Sequence, residues 1–321
     1  TAGVARSFIE NGLFNGAMPL KMYYITPVFR YETPQKGRLR EHHQFGVEIY
    51  GGEGADTDAE VIKLAYTVLR KCGLKVKLYI NSMGCPECRK KYNEALKGYF
   101  ADKLDKLCPT CRERYVKNPL RILDCKSEEC KALCVDAPKI TDYLCDDCKA
   151  HFEKLQVLLG DCGVDFEINP YIVRGLDYYT RTVFAFVTTS RGSQGTVCGG
   201  GRYDNLIAQL GGTPTPGVGF GMGIERLLML MEAEGVGIPK PETVKLYIAT
   251  MGEAAYEKAF SIASALRDKG VKTEIDHAGR GVKAQFKYAD KIGAENVVTL
   301  GENEIQSGVC KIKRMSDGVQ T

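Results

Sequence analysis

Long hydrophobic runs are absent from this sequence. No apolar stretch approaches the roughly 18 residues that a membrane-spanning helix requires, so we expect neither an integral membrane protein nor a membrane partner. Residues 1–15 also lack the basic-then-apolar layout of a secretory signal peptide. These two absences favour a cytoplasmic protein. The chain starts at Thr1 instead of Met, and we therefore expect a fragment of a longer protein.

A large excess of charge of one sign is also absent. The chain has 44 Lys and Arg residues against 40 Asp and Glu residues, which gives a formal net charge of +4 at pH 7. This small excess permits a nucleic-acid partner without requiring one, because a tRNA-binding surface needs only a local basic face. The 44% hydrophobic and 26% charged residues are typical of a globular protein, and 321 residues suffice for two or three domains.

The common phosphate-binding loops are absent as well. Two glycine-rich segments occur, CGGGRYDN at residues 198–205 and GVGFGMGIER at residues 217–226. Neither matches the dinucleotide pattern GxGxxG or the Walker pattern GxxxxGK followed by Ser or Thr. Glycine at alternate positions instead lets a ligand approach the backbone of a strand. Each segment alone is weak evidence for a binding site.

A hydrophobic hairpin with a long charged loop is the first feature that is present. Residues 22–30 and 44–50 are rich in β-branched and aromatic residues, typical of strands, and the polar residues 31–43 join them. Gln44 and Glu48 share one face of the second strand by the period of two. Taken by itself, this hairpin is explained equally well by a solvated charged loop and by a binding site. The basic side chains that would suit a polyphosphate are Arg30, Lys36, Arg38, Arg40, His42 and His43.

A second polar cluster, RGLDYYTR, occupies residues 174–181, just before a hydrophobic strand. It combines Arg174 and Asp177 with the adjacent tyrosines Tyr178 and Tyr179. For this segment alone, an ordinary start of a strand with exposed tyrosines is the more frequent explanation. The order of the four segments along the chain is a stronger signal than any one of them.

Together the four segments resemble the motifs of the class II aminoacyl-tRNA synthetases, and in particular those of the histidine enzymes. FRYETPQKGRLREHHQFGVE, residues 29–48, is similar to motif 2, and GVGFGMGIER resembles motif 3. VRGLDYYTRTVF, residues 173–184, and GGRYDNL, from Gly200, are similar to the two histidine-specific signatures. The resemblance covers essentially the whole chain. It implies an enzyme that activates L-histidine with ATP and transfers it to the histidine tRNA.

The resemblance also implies the architecture. We expect an α+β fold with an antiparallel six-stranded catalytic sheet flanked by helices. Residues 1–80 and 158–238 would form the catalytic domain, residues 81–157 a Cys-rich inserted subdomain, and residues 243–321 an α/β anticodon-binding domain. Motif 1, which forms much of the family's dimer interface, would precede Thr1. We therefore expect a homodimer for the complete protein, and inactivity for this piece, which also lacks the extreme C-terminus.

The family's nucleotide contacts imply roles for five residues. Arg30 and Arg174 would hold the α-phosphate from opposite sides and stabilise the charge that develops as the histidine carboxylate attacks it, so they are the implied catalytic residues. Arg38 would reach the distal phosphates, and Arg226 would stack on adenine. His42 stands where the family usually has phenylalanine as the other adenine platform. Mg²⁺ is expected on the ATP phosphates, since oxygen ligands suit this ion.

The family's histidine contacts imply a second set of roles. Glu48 and Tyr179 would hydrogen-bond the two imidazole nitrogens, and a site built this way rejects analogues lacking them by roughly 10⁴ or more. Gln44 and Thr1 would face the α-amino group, and Gln35 would contact the tRNA acceptor end. The full histidine-binding set that the resemblance implies is Thr1, Gln44, Glu48, Arg174, Tyr178, Tyr179 and Tyr203.

The cysteines form a separate pattern. Nine of the 13 cysteines lie between positions 85 and 148, and six of these nine form three CxxC pairs. Zinc or reduced thiols are favoured over disulfides because nothing marks a secreted protein. The spacing predicts a four-thiolate zinc site, with buried reduced cysteines as the alternative. The predicted ligands are Cys85, Cys88, Cys108 and Cys111, while Cys125, Cys130, Cys145 and Cys148 could supply a second site.

Two other functions are compatible with parts of the sequence. A catalytically silent regulator that partners a phosphoribosyltransferase would share the catalytic fold, but such regulators lack the anticodon-binding domain and usually lose the signatures. Residues 244–321 and the intact RGLDYYTR argue against this alternative. A zinc-ribbon nucleic-acid adaptor would explain only the cysteine region.

Overall fold

The structure is a computed structural model, and it describes residues 1–31, 33, 39–172, 178–188, 195–238 and 241–321. The described residues form two compact units, Thr1–Ile238 and Pro239–Thr321. Three predicted site residues, Gln35, Arg38 and Arg174, lie outside the described residues.

A seven-stranded sheet is the frame of the first unit. Its strands are β1 (Leu20–Phe29), β2 (Glu41–Tyr50), β3 (Val76–Ser82), β4 (Phe166–Ile168), β5 (Thr180–Thr188), β6 (Thr196–Arg202) and β7 (Gly217–Gly223). They lie in the order β1-β2-β7-β6-β5-β3-β4. The first six in this order are antiparallel, as predicted, whereas the three-residue β4 adds to the edge parallel to β3. The sheet therefore has one strand more than the six predicted, and that strand is a three-residue edge strand.

Helices cover one face of this sheet. They include α2 (Ala55–Lys71) and α6 (Asp146–Asp161), which pack against each other and against the sheet. Helix α2 buries Val61, Ile62 and Ala65, and the sheet contributes buried aromatic rings such as Phe184 and Phe220 to the same core. Because Phe184 and Phe186 alternate with Val183 and Ala185 on a strand buried on both faces, β5 lies at the centre of the unit. The opposite face of the sheet is left for the candidate site.

Three shorter helices also belong to the first unit: α1 (Ala2–Glu10), α7 (Leu206–Gln209) and α8 (Ile224–Ala233). Phe8 of α1 packs on Tyr50 at the end of β2, with ring centroids 4.7 Å apart. Helix α8 follows β7 directly after Gly223, so the glycine-rich strand and the next helix are continuous. The start of α8 is thereby placed at the edge of the candidate site.

The Cys-rich region is a helical insertion between β3 and β4. Its helices are α3 (Pro86–Phe100), α4 (Pro109–Lys117) and α5 (Glu128–Cys134), which are followed by α6. Proline at the first helical position suits the start of α3 and of α4, since that nitrogen has no partner within the helix. Each CxxC pair places its first cysteine at the N-cap of a helix, namely Cys85, Cys108 and Cys145.

The second unit is a small α/β fold, as predicted, and its sheet is largely parallel. Its elements are β8 (Leu246–Thr250), α9 (Glu253–Asp268), β9 (Thr273–Ile275), α10 (Val282–Lys291), β10 (Asn296–Leu300), α11 (Glu302–Ser307) and β11 (Ile312–Arg314). The strand order is β11-β10-β8-β9, and only β11 is antiparallel to its neighbour. Across the ranges that the structure describes, no helix of either unit is both long and apolar enough to cross a membrane.

Candidate active site

A buried carboxylate lies at the centre of the candidate site. Glu48 of β2 is 0% exposed and pairs in register with Gly219 of β7. A Cβ atom at position 219 would overlap the Glu48 carboxylate, so only glycine leaves room for this side chain. The alternating glycines of β7 therefore form the floor on which the polar side chains of β2 lie.

Tyrosine hydroxyls hold the Glu48 carboxylate. Tyr203 donates a hydrogen bond to Oε2, and the Tyr24 hydroxyl lies 3.3 Å from Oε1. Burial raises the pKa of the Glu48 carboxyl, while the hydrogen bonds from Tyr203 and Tyr24 act in the opposite direction. The site thus contains a carboxylate in a desolvated position, where a cationic or hydrogen-bonding ligand gains most from it.

Tyr24 is a site residue that the sequence analysis missed. Its hydroxyl accepts a hydrogen bond of 2.8 Å from the Gln44 side-chain amide and also contacts Glu48. Burial is the main cause that raises the Tyr24 pKa. Tyr24 faces Gly46 across the β1–β2 pair, and its ring fills the space that a side chain at position 46 would take. The pairing of a tyrosine on β1 with the one glycine of β2 was the signal that could have identified Tyr24 as a site residue.

An aromatic wall adjoins the carboxylate. The Tyr178 ring lies 4.9 Å from the Tyr179 ring and 5.8 Å from the Tyr203 ring, the latter in an edge-to-face arrangement. Tyr203 is only 1% exposed, and desolvation together with the nearby Glu48 charge raises the pKa of its hydroxyl. The backbone nitrogen of Thr1 lies 3.6 Å from Glu48 Oε1. The predicted histidine-binding residues among those described therefore come together in one place: Thr1, Gln44, Glu48, Tyr178, Tyr179 and Tyr203.

A cleft of about 740 Å³ continues from this pocket along the sheet. Its lining includes Arg30, His42, Gln44 and Arg226, so three of the predicted nucleotide-binding residues share one space. His42 and Arg226 meet over Gly223, since a Cβ atom there would be 3.6 Å from His42 Cδ2 and 3.8 Å from Arg226 Cβ. The cleft presents two guanidinium groups and an imidazole to whatever occupies it.

Hydrogen bonds to one carboxylate connect β2 to α8 beside this cleft. Glu225, at the first turn of α8, accepts hydrogen bonds of 2.9 and 3.0 Å from the backbone nitrogen of His43. Its carboxylate also lies 2.7 Å from His43 Nδ1. This contact holds the start of α8, and with it Arg226, next to the strand that carries His42.

A buried polar network behind the pocket was also missed by the sequence analysis. Asp58 of α2 lies 2.7 Å from the Arg202 guanidinium and 2.6 Å from His151 Nε2, and it accepts a bond of 2.6 Å from the Thr182 hydroxyl. Burial acts to raise the Asp58 pKa, but the hydrogen bonds from His151 and Arg202 outweigh it and lower the pKa overall. These side chains come from α2, α6, β5 and β6, so one carboxylate joins four elements. The three partners of Asp58 lie 93 to 144 residues further along the chain, which left no local pattern to detect.

Eight of the cysteines form two groups of four. Neither group is the predicted ligand set of Cys85, Cys88, Cys108 and Cys111, so that prediction is wrong. Sulfur atoms within each group all lie within 4.8 Å of one another. Helix α3 runs for 15 residues, about 22 Å, between Cys85 and Cys108 and separates the two pairs that were predicted to share an ion. The chain instead returns to the start of α3 when α6 begins. We name the groups the stem cluster, Cys85, Cys88, Cys145 and Cys148, and the distal cluster, Cys108, Cys111, Cys125 and Cys130.

Both clusters have the geometry of a four-thiolate metal site. The sulfurs of Cys85 and Cys88 are 3.5 Å apart and those of Cys108 and Cys125 are 3.8 Å apart, whereas a tetrahedral zinc ion with bonds near 2.3 Å separates its sulfurs by about 3.8 Å. The backbone amide of Cys111 is the main cause that lowers the Cys108 pKa to about 7. Burial raises the pKa of Cys111 and Cys148, so the fit to zinc rests on the four close sulfur atoms of each cluster.

Comparisons with known proteins agree with this geometry. A family model described as histidyl-tRNA synthetase matches residues 1–227, and one described as an anticodon binding domain matches residues 245–321. The chain is 53% identical over 321 residues to the histidine–tRNA ligase of Clostridium novyi, covering 100% of this chain and 76% of that protein. It is 55% identical over 322 residues to the histidine–tRNA ligase of Caldanaerobacter subterraneus subsp. tengcongensis, with coverages of 100% and 77%.

A solved structure matches the whole chain as well. The crystal structure of apo S. aureus histidyl-tRNA synthetase superposes with a TM-score of 0.83 at 37% identity, covering 100% of this chain and 79% of that one.

Proposed function

This chain belongs to the histidyl-tRNA synthetase family, and we propose on that premise that it activates L-histidine with ATP and transfers the histidine to its tRNA. The observation that carries the proposal is the buried Glu48 carboxylate beneath three tyrosine rings, at the end of a cleft lined by arginines. A small ligand with a basic ring fits the first part, and a polyanionic nucleotide fits the second.

Histidine is selected by the buried polar groups. Glu48 and Tyr179 hydrogen-bond the two imidazole nitrogens, and Tyr178 and Tyr203 form the walls. Gln44 and Thr1 face the α-amino group. An analogue without ring nitrogens would form no hydrogen bond with Glu48, and losing that bond is costly in a desolvated site.

Adenylate formation depends on positioned positive charge. Arg30 holds the α-phosphate while the histidine carboxylate attacks it and pyrophosphate leaves, and Arg174 approaches the same phosphate from the other side. Arg38 contacts the distal phosphates, and the adenine stacks between His42 and Arg226. Mg²⁺ bound to ATP would neutralise further phosphate charge; the cleft's arginines suit such a polyanion.

The other parts of the molecule serve the tRNA and the assembly. We infer that Gln35 meets the acceptor end and that the second unit reads the anticodon region. The working form is a cytoplasmic homodimer. Sedimentation of the complete protein tests the dimer, since a monomer with full activity would contradict it.

The regulatory alternative is not favoured. The curated relatives quoted above are ligases that match the full length of this chain, and the second unit matches an anticodon-binding domain. A regulator that only binds histidine has no use for such a domain. A zinc-ribbon adaptor accounts for the insertion and leaves the rest of the chain unexplained.

We also propose that the insertion binds zinc, one ion in the stem cluster and one in the distal cluster. The support is two compact sets of four sulfurs within one subdomain. Atomic emission on protein purified without chelator should give two zinc ions per chain. Metal-free protein with reactive thiols would refute this assignment.

Histidine-dependent exchange of pyrophosphate into ATP tests the central proposal. The complete protein should exchange with histidine and with no other natural amino acid, and it should then charge the histidine tRNA. Folded protein that binds histidine without exchange would support the regulatory alternative instead.

A further inference from the structure

The insertion contains the same five-residue pattern twice. Residues 85–89 read CPECR and residues 108–112 read CPTCR. In both, the first cysteine caps a helix and the arginine lies one turn further, so Arg89 and Arg112 hold equivalent positions. Their contacts differ, and that difference separates the functions of the two clusters.

Arg112 makes only local backbone contacts among those that we can describe. Its Nε donates to the Leu107 carbonyl at 3.0 Å, and its Nη2 donates to the Asp105 carbonyl at 3.1 Å. Both carbonyl groups lie just before α4, at most seven residues before Arg112 in the chain. Arg112 therefore stabilises the start of α4.

Arg89 reaches across the molecule. Its guanidinium donates a hydrogen bond to the carbonyl oxygen of Tyr179, 90 residues further along the chain. The Tyr179 ring fills the space above Gly201 and contacts the Tyr178 ring. The first turn of α3 is thus connected directly to the wall of the proposed histidine pocket.

The backbone makes a second connection at the same place. The amide of Arg181 donates to the Gly84 carbonyl at 2.9 Å, and the amide of Met83 donates to the Arg181 carbonyl at 2.5 Å. Arg181 has φ of 47°, a left-handed conformation that is unfavourable for a residue other than glycine. Such a conformation persists when its surroundings hold it. Here the surroundings are the residues immediately before Cys85.

The stem cluster closes this junction. The Cys145 amide donates to the Cys88 sulfur at 3.1 Å, so the chain leaving the insertion is attached to the chain entering it. Helix α6, which begins there, carries His151 into the buried network with Asp58. A metal ion in the stem cluster would fix the starts of α3 and α6 to each other, directly beside the 83–85 segment.

We propose that the metal site of the stem cluster sets the affinity for histidine, with Arg89 as the positioning residue that transmits its geometry to Tyr179. The proposal rests on the proposed function, because histidine as the ligand comes from there. Loss of the ion lets α3 and α6 move apart and releases the backbone on both sides of Arg181. The distal cluster has no such connection to Tyr179 among the described contacts.

Arginine variants of the full, zinc-loaded protein give the sharpest test. Titration calorimetry with L-histidine should show a dissociation constant about tenfold or more higher for Arg89→Ala, the scale of losing one hydrogen bond from a charged donor. Arg89→Lys should recover part of the loss. The matched control, Arg112→Ala, should bind histidine as the unaltered protein does. In pyrophosphate exchange, Arg89→Ala should raise KM for histidine more than it changes kcat, while KM for ATP stays within about twofold.

Cysteine variants test the metal itself. Cys88→Ser should lower the zinc content from two ions to one and weaken histidine binding as Arg89→Ala does. Cys130→Ser should lose the other ion and leave histidine binding within about twofold. If Cys88→Ser does not fold, histidine binding by the Arg89 and Arg112 variants decides the proposal, since those variants keep all eight thiolates.

The outcomes separate cleanly. Equal histidine affinity in Arg89→Ala and the unaltered protein overturns the proposal, as does a folded Cys88→Ser that loses zinc and still binds histidine normally. Equal weakening by Arg89→Ala and Arg112→Ala would also overturn it, because the insertion would then act as a whole. Failure of the unaltered protein to bind histidine at all refutes the proposed function instead.

Discussion

At the scale of single residues, the selectivity for histidine that we propose depends on one desolvated carboxylate with neutral hydroxyl partners. Glu48 is surrounded by tyrosines, and the raised pKa values of Tyr24 and Tyr203 keep both hydroxyls protonated donors at neutral pH. These hydroxyls bring no positive charge to Glu48, so the ligand is left to supply it. A basic imidazole or an imidazole N–H satisfies this carboxylate.

Replacing Glu48 with Gln tests this arrangement. The amide keeps the size of the side chain but removes the charge, so we expect histidine binding to weaken by about 1.5–3 kcal/mol, the range for a hydrogen bond to a charged group. Calorimetry with histidine measures the loss, and circular dichroism checks that the variant is folded. Unchanged affinity would mean that the imidazole is recognised elsewhere.

Tyr24 gives an independent prediction, since no motif pointed to it. Tyr24→Phe removes the acceptor of the Gln44 amide and a donor to Glu48. We expect histidine affinity to fall by about 1 kcal/mol, a typical contribution of one hydrogen bond. Tyr23→Phe is the matched control, because Tyr23 lies on the opposite face of β1 and is 74% exposed. Equal behaviour of the two variants would remove Tyr24 from the site.

At the scale of elements, the sequence predicted what repeats locally and missed what long-range packing decides. The period of two predicted that Gln44 and Glu48 share a face, and the hydrophobic residues after RGLDYYTR predicted β5. The ligand partners of Cys85 depend on where α6 begins, 57 residues after Cys88, and no spacing rule contains that information. The Asp58 network was missed for the same reason.

The Asp58 network predicts a specific dependence of stability on pH. The folded state lowers the Asp58 pKa below the unfolded value of about 3.9, so this group stabilises the fold above that pH, and its contribution is lost as pH falls through the folded pKa. Asp58→Asn removes the contribution and leaves Arg202 with one carboxylate partner fewer. We expect a loss of about 3–5 kcal/mol in the free energy of unfolding at pH 7.

Urea denaturation at pH 7 and at several pH values below about 3.9, where the Asp58 contribution is lost, measures both effects. The difference between Asp58→Asn and the unaltered protein should shrink as the solution becomes more acidic. Asp56→Asn is the control, since Asp56 is exposed on the first turn of the same helix. A constant difference at every pH would show that the Asp58 charge does not stabilise the fold.

At the scale of the whole molecule, the chain divides into two units that each bury their own apolar residues. The first unit has cores that include Phe184 and Tyr92, and the second has cores around Ile248 and Tyr247. Every described residue proposed to contact histidine or ATP belongs to the first unit. Chemistry at the amino acid and recognition of the distant part of the tRNA can therefore be separated.

Truncation of the complete protein after Ile238 tests whether the first unit carries out the amino-acid chemistry without the second. The shortened protein should keep histidine-dependent pyrophosphate exchange, because its core and its cleft are complete without the second unit. Charging of the histidine tRNA should weaken by about 10²-fold or more in kcat/KM, since two linked contacts with one tRNA are reduced to one. The complete protein assayed in parallel is the reference, and circular dichroism establishes that the shortened protein is folded. Charging that survives at the full rate would show that residues 245–321 contribute nothing to tRNA binding, whereas loss of exchange in a folded protein would show that the second unit supports the first reaction as well.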